Sequence, residues 1–237
     1  MQISSFNSLN EIFFLQCEKY QKEDHLFFNN LNYKKFQTYT WTDTKNNVLK
    51  LAKFLNEKNI SKGDRVLLVS ENRPEWLIAD LAILLNSAIT VPNYTTYTVN
   101  DFAFTINDCK PSGLIVSTPQ LLKNILLAAK KINYNFNFII LLNQANESVA
   151  DNVINFSTVL EKKIDIEETK IFFRGINKSL TRKDPACIIY TSGTQGTPKG
   201  VVLSHGGILK NCEGALEFLY FIKKKQNTFL TWLPLSH

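Results

Sequence analysis

The 237-residue chain is sparing with the residues that build staples and metal centres. Its four cysteines, Cys17, Cys109, Cys187 and Cys212, stand too far apart for a C-x-x-C metal or redox motif. A chain of this size needs no disulfide framework, so they read as reduced, mostly buried thiols of an intracellular protein. The three histidines, His25, His205 and His237, share no i,i+3 or i,i+4 spacing, and no metal site is expected from them. Long apolar runs are missing too. The longest, Trp76 to Leu85, is broken by Asp80 and is too short to cross a bilayer. Met1 to Phe6 has neither the basic nor the apolar region of a signal peptide. A cytoplasmic protein is expected, with a peripheral membrane contact left open. Internal repeats and low-complexity tracts are absent. The net charge is +6, but the basic residues are dispersed. The densest run, Lys223-Lys224-Lys225, adjoins Gln226 and Asn227 and reads as a solvated loop. With no recognised module and no basic–aromatic alternation, no nucleic-acid partner is expected.

What remains is an ordinary globular composition, 44% hydrophobic, with a regular rhythm. An amphipathic helix is expected over about 7–21, then two short strands over 25–30 and 35–40. A helix capped by Thr42 carries Val48, Leu51, Ala52 and Leu55 on its inner stripe. Strands over 65–70, 88–91, 113–117 and 136–142 then alternate with helices over about 74–86, 99–108 and 119–132. Asn72 or Arg73 caps the first of these helices and Pro74 sits in its first turn, where a missing N–H costs nothing. Pro92 is read as the end of the second strand. The rhythm predicts an α/β fold, a mostly parallel sheet flanked by helices, with additional β structure. Residues 143–184 are less regular, with short elements read at 152–160 and 170–173. The last elements expected are a helix over about 206–221 and a strand over 228–233.

The chemistry is concentrated in one stretch. Ala186 to Tyr190 and Val201 to Leu203 read as strands. Between them run Thr191-Ser192-Gly193-Thr194-Gln195-Gly196-Thr197-Pro198-Lys199-Gly200, with three glycines, four hydroxyls, one proline and one lysine. Such a loop turns backbone N–H groups inward around an anion. Thr191, Ser192, Thr194 and Thr197 add hydroxyl donors and Lys199 a positive charge, which together make a polyphosphate cradle. The order is not that of a P-loop NTPase, in which Gly-Lys-Ser/Thr leads into a helix. Here Lys199 is followed by Gly200 and a strand.

The string T-S-G-T-x-G-x-P-K-G followed by V-V-L-S-H resembles the phosphate loop of the adenylate-forming superfamily, which holds acyl-CoA synthetases, luciferases and peptide-synthetase adenylation domains. Gln195 stands where that family usually has a second threonine, so altered detail rather than lost binding is expected. Tyr39-Thr40-Trp41-Thr42, Lys62-Gly63-Asp64-Arg65-Val66, Glu71 to Trp76 and Val91-Pro92-Asn93-Tyr94 resemble the N-terminal part of long-chain acyl-CoA synthetases in their order. Trp232-Leu233-Pro234-Leu235-Ser236-His237 is similar to a later family signature, a gate beside the acyl and adenylate pocket.

The resemblance implies activation of a fatty acid by ATP to an acyl-adenylate, then transfer to CoA. Thr191, Ser192, Gly193, Thr194, Gln195, Gly196, Thr197, Lys199 and His237 are its implied nucleotide-site residues, with Mg²⁺ assisting. Lys199 and Thr194 are the catalytic ones, Lys199 offsetting charge on departing pyrophosphate. It also implies that residues 1–237 are the N-terminal portion of an AMP-dependent synthetase/ligase domain, truncated and without its C-terminal lid. On that reading these residues alone neither adenylate nor thioesterify. Two alternatives stay open: a ligase for amino or aryl acids, which would share the loop, and a non-catalytic ATP- or acyl-binding module.

Overall fold

A computed structural model describes residues 3–30, 35–143, 152–191, 198–219 and 228–236. The chain opens with a 3₁₀ turn at Ile3–Ser5, helix α1 (Leu9–Tyr20) and the antiparallel pair β1 (Asp24–Asn30) and β2 (Lys35–Thr40). It continues through α2 (Trp41–Glu57), β3 (Arg65–Val69), α3 (Pro74–Leu85), β4 (Ile89–Asn93), α4 (Val99–Cys109), β5 (Gly113–Val116), α5 (Pro119–Lys131) and β6 (Phe138–Leu141). Then follow β7 (Val153–Asn155), α6 (Phe156–Glu161), α7 (Ile166–Asn177), β8 (Pro185–Thr191), β9 (Lys199–Ser204) and α8 (His205–Phe218).

Among the described residues, seven strands form one sheet in the order β7-β6-β5-β3-β4-β8-β9. All neighbours are parallel except β8 and β9. Strand β3 explains why these strands read as unbroken apolar runs. Val66 and Leu68 enter a core built with α1, α2, α3, α6 and α7, while Leu67 and Val69 enter a second core built with α4 and α5. Both faces are covered, so neither set of alternate residues can be polar. From β3 the chain steps to β4 on one side and returns to β5 on the other. The sheet thus reverses its winding at β3, and crevices for ligands form at the carboxyl ends of strands beside such a reversal.

Four expectations are corrected. The cap of α2 is Thr40, not Thr42: its hydroxyl accepts from the Asp43 N–H while the Asp43 carboxylate accepts from the Thr40 N–H. This reciprocal Thr-x-x-Asp pairing satisfies two orphan donors, and the Thr42 hydroxyl donates to the Gln21 carbonyl instead. Pro92 lies inside β4 rather than ending it, because the β4–β8 register is confined to Thr90 and Cys187 and a missing N–H costs little there. The short element read at 170–173 is part of the full helix α7, capped by the Asp165 side chain, with Glu167 and Glu168 at its first turn and Arg174 at its last. Residues 228–233 form no strand. Two of their carbonyls, at Thr231 and Leu233, accept from the Asn72 side chain rather than from a ladder.

His205 and His25 are expected to shape the acid limb of stability. His205 opens α8, is 1% exposed, and accepts the Leu9 N–H at Nδ1, 3.3 Å away. Burial pushes its imidazole down to about 4, with Asp184 opposing and Lys62 adding to the shift. His25 stacks on Trp41 at 3.6 Å, and burial lowers it to about 4 as well. In the unfolded chain both would titrate at 6.5. Below that value the unfolded state therefore gains protons first, and stability falls as pH drops from about 6.5 to about 4. Asp80, accepting from Thr90 Oγ1 at 2.6 Å, opposes this. Burial raises it from 3.8 to about 6, so its contribution is lost as pH rises through that range. Two groups outweigh one. Urea midpoints from pH 4.5 to 7 should rise with pH and level off near neutrality, and the Asp80→Asn variant should show the steeper acid limb. A midpoint that rises on acidification would contradict the assignment.

Candidate functional site

The phosphate-loop stretch leaves the sheet at the end of β8. Because β8 runs parallel to β4, Thr191 lies at the same edge as the carboxyl ends of β3, β4, β5 and β6. Thr191 and Lys199 are direct partners across the β8–β9 hairpin and close the base of the loop. Both are exposed. Among the described residues no carboxylate pairs with Lys199. Ser192, Gly193, Thr194, Gln195, Gly196 and Thr197 lie outside the described residues, as does His237. Of the expected nucleotide-site residues, the structure thus brings Thr191 and Lys199 together.

The base of the loop is braced by residues that the sequence reading did not single out. Tyr190, one position before Thr191, is 4% exposed and donates its hydroxyl to Asp108 Oδ2 at 2.5 Å. Burial and the neighbouring carboxylate push the phenol well above its ordinary range, so it stays a neutral donor. Its ring also meets Phe104 edge-on, with centroids 6.1 Å apart. The hairpin partner of Tyr190 is Gly200. A Cβ there would come within 3.2 Å of the Tyr190 ring and 3.0 Å of Ile188, tighter than ordinary packing, so both neighbours would have to give by a few tenths of an ångström. Its signal in the sequence was a glycine directly after Lys199 at the start of an apolar strand, a place where glycine otherwise weakens pairing.

A second segment reaches the same edge. Residues 228–236 pass the carboxyl end of β3, where Leu235 packs against the core and Ser236 is 5% exposed. The loop from β3 to α3 holds it there through Asn72. The next residue, Arg73, is tied on two sides, to Glu75 at 2.7 Å and to Asn143 Oδ1 at 2.7 Å. Asn93 at the end of β4 and Ser117 just past β5 are buried at this edge, and their side-chain polar atoms have no partner among the described residues.

Among the described residues no three His, Cys, Asp or Glu side chains converge as a metal site. The thiols offer no reactive centre near the loop: burial raises Cys17 and Cys187 to about 12 and Cys109 to about 11. Cys212 is exposed. Among the described residues no helix is long and apolar enough to cross a membrane.

The fold is thus an α/β protein with a mostly parallel sheet that reverses its winding at β3, and Thr191 and Lys199 stand at its carboxyl edge. The family model "AMP-binding enzyme" matches residues 13–237, and the chain belongs to that family, the adenylate-forming enzymes. The peroxisomal long chain acyl-CoA synthetase 7 of Arabidopsis thaliana is 32% identical over 185 residues, 75% of this chain and 25% of that protein. A long-chain-fatty-acid–CoA ligase of Bacillus subtilis is 28% identical over 216 residues, 84% of this chain and 38% of that one. The chain thus spans between a quarter and two fifths of these relatives' lengths. In fold it is similar to acetoacetyl-CoA synthetase from Streptomyces lividans, with a TM-score of 0.74 at 16% identity over 88% of this chain and 32% of that one. It is also similar to the fatty acid AMP ligase from Legionella pneumophila, with a TM-score of 0.69 at 21% identity over 100% of this chain and 36% of that one.

Proposed function

We propose that the chain is the N-terminal portion of a ligase domain that activates a long-chain fatty acid with ATP and passes the acyl group to CoA. The observation that carries this is the pairing of Thr191 with Lys199 at the base of the phosphate-loop string, on the carboxyl edge of the sheet. A carboxylate resists nucleophiles because it is charged and oxide leaves poorly. Attack of the carboxylate oxygen on the α-phosphate forms the mixed anhydride and releases pyrophosphate. The CoA thiol then displaces AMP. The first step needs alignment and charge stabilisation more than covalent help.

In this reading the backbone N–H groups of Gly193 and Gly196 and the hydroxyls of Thr191, Ser192, Thr194 and Thr197 cradle the β- and γ-phosphates, with Gln195 beside them. Lys199 and Thr194 stabilise the departing pyrophosphate, and His237 lies at the adenylate end. Mg²⁺ bound with the nucleotide would supply further neutralisation of the phosphates. Long-chain acids partition into bilayers, so a peripheral contact of the cytoplasmic enzyme with membranes belongs to the same proposal. The fatty-acid ligases among the relatives support this substrate class. The test is thioester formation by the complete enzyme with CoA, ATP and a panel of short, medium and long fatty acids and aryl acids. Long-chain acyl-CoA is the expected product. Turnover of an aryl acid alone would move the protein to another branch of the family.

A further inference from the structure

Strand β8 joins the parallel sheet at one register pair, Thr90 of β4 with Cys187. Beyond that pair its ladder partner among the described residues is β9, through Ile188 with Val202, Ile189 with Val201, Tyr190 with Gly200 and Thr191 with Lys199. The hairpin end that carries Thr191 and Lys199 therefore stands clear of the β4 ladder, and other contacts must set its place against the sheet. Packing supplies part of the hold: Ile188 and Tyr190, two positions apart, both meet the core under α4 and α5. Packing of apolar surface is non-directional, so it fixes the height and tilt of the hairpin only loosely. The directional contact is the Tyr190 hydroxyl, which donates to Asp108 Oδ2 at 2.5 Å, while the ring meets Phe104 edge-on. Phe104 and Asp108 lie four residues apart on α4, so one helix face presents both the ring contact and the acceptor.

Asp108 stands in the last turn of α4, a turn with no basic residue. A carboxylate there meets the negative pole of the helix dipole, a placement that α4 by itself does not favour. Its use lies outside the helix, in the bond to β8. Asp108 is exposed and Tyr190 is buried, so the bond ties the strand to the outer helix layer. We infer that Asp108 is a positioning residue: through the Tyr190 hydroxyl it ties α4 to the end of the β8–β9 hairpin and sets where the Lys199 ammonium stands. The inference rests on the role proposed above for Lys199. Asp108 acts on the rate only through the hairpin, so its effect must vanish once the Lys199 ammonium is gone.

The test is a double-mutant cycle in fatty-acid-dependent ATP–pyrophosphate exchange by the complete enzyme. Tyr190→Phe and Asp108→Ala are each made alone and on Lys199→Ala. Tyr190→Phe keeps the ring on Phe104 and removes only the hydroxyl, so the fold is retained. Each single variant should lower kcat about tenfold, the scale of a reacting group displaced by a fraction of an ångström, with KM for the acid within about twofold of the parent. On Lys199→Ala, each should lower the rate by less than about twofold more. Asp108→Asn keeps an acceptor oxygen and should retain the parent rate within about threefold. Backbone amides in 188–191 and 199–202 should exchange about tenfold faster in Tyr190→Phe, the scale of one lost hydrogen bond. An active parent with unchanged rates in both single variants overturns the positioning role and leaves the proposed function standing. The same loss with and without the Lys199 ammonium also overturns it, because a general weakening of the fold would be additive. A parent that performs no exchange with any fatty acid removes the proposed function and the rate role together. Unchanged amide exchange in Tyr190→Phe by itself overturns the tie between α4 and the hairpin.

Discussion

Replacing Lys199 by alanine in the complete enzyme should lower fatty-acid-dependent ATP–pyrophosphate exchange by about 10²–10³-fold, the usual consequence of removing one preorganised charge or donor aimed at a developing anion. The side chain starts at the first residue of β9, directly across from Thr191, and carries no ion pair among the described residues. Among the described residues no carboxylate holds it back, and its removal should cost the fold little. The loss should appear in kcat with the acid KM unchanged. Lys210→Ala provides the control, because Lys210 is exposed on α8 and pairs with Glu213 at 2.9 Å. That variant should retain the parent rate, and equal losses at both positions would mean that bulk charge rather than a placed ammonium matters.

Gly113→Ala should destabilise the chain by about 1–3 kcal/mol, the cost of overpacking a filled core. Gly113 begins β5, with Phe138 of β6 as its register partner. An added Cβ would fall inside the van der Waals envelope of the Phe138 ring. The ring has nowhere to go: it is 1% exposed and meets Phe54 edge-on, with centroids 6.3 Å apart. Urea unfolding should show a lower midpoint with an unchanged m-value. The double variant Gly113→Ala, Phe138→Leu should be more stable than the sum of the two single changes, because the smaller side chain vacates the contested space. Strict additivity would show that the two positions do not compete.

Thr40 shows where the sequence was legible and where it was not. The helix after it was plain from the stripe of Val48, Leu51, Ala52 and Leu55, all fully buried in α2. Its start was misplaced by two residues, because Thr40 and Thr42 are both good caps and only the reciprocal pairing with Asp43 separates them. The parallel strands were legible for a related reason: burial on both faces forces Val66 through Val69 to be apolar whatever their neighbours. Residues 228–233 misled because an apolar run reads alike whether it joins a ladder or is held by a side chain from a loop over 150 residues earlier. Nothing local distinguishes these cases. Pro92 misled because its effect depends on which edge of β4 needs its N–H, a tertiary matter.

At the site, the strands on either side of the loop were legible as apolar runs, Ala186 to Tyr190 and Val201 to Leu203, which lie in β8 and β9. The brace beneath it was not. Tyr190 read as one more apolar strand residue, and its partner Asp108 lies on α4, more than 80 positions away. Second-layer contacts of this kind are set by how helices dock on the sheet, which no single stretch of sequence encodes.

The most direct test of the account is ATP–pyrophosphate exchange by the complete enzyme, with and without a long-chain fatty acid. Exchange that depends on the acid, and that falls by about 10²–10³-fold when Lys199 becomes alanine, is the predicted result. Exchange that is absent with every fatty acid, or that proceeds unchanged without Lys199, would contradict it.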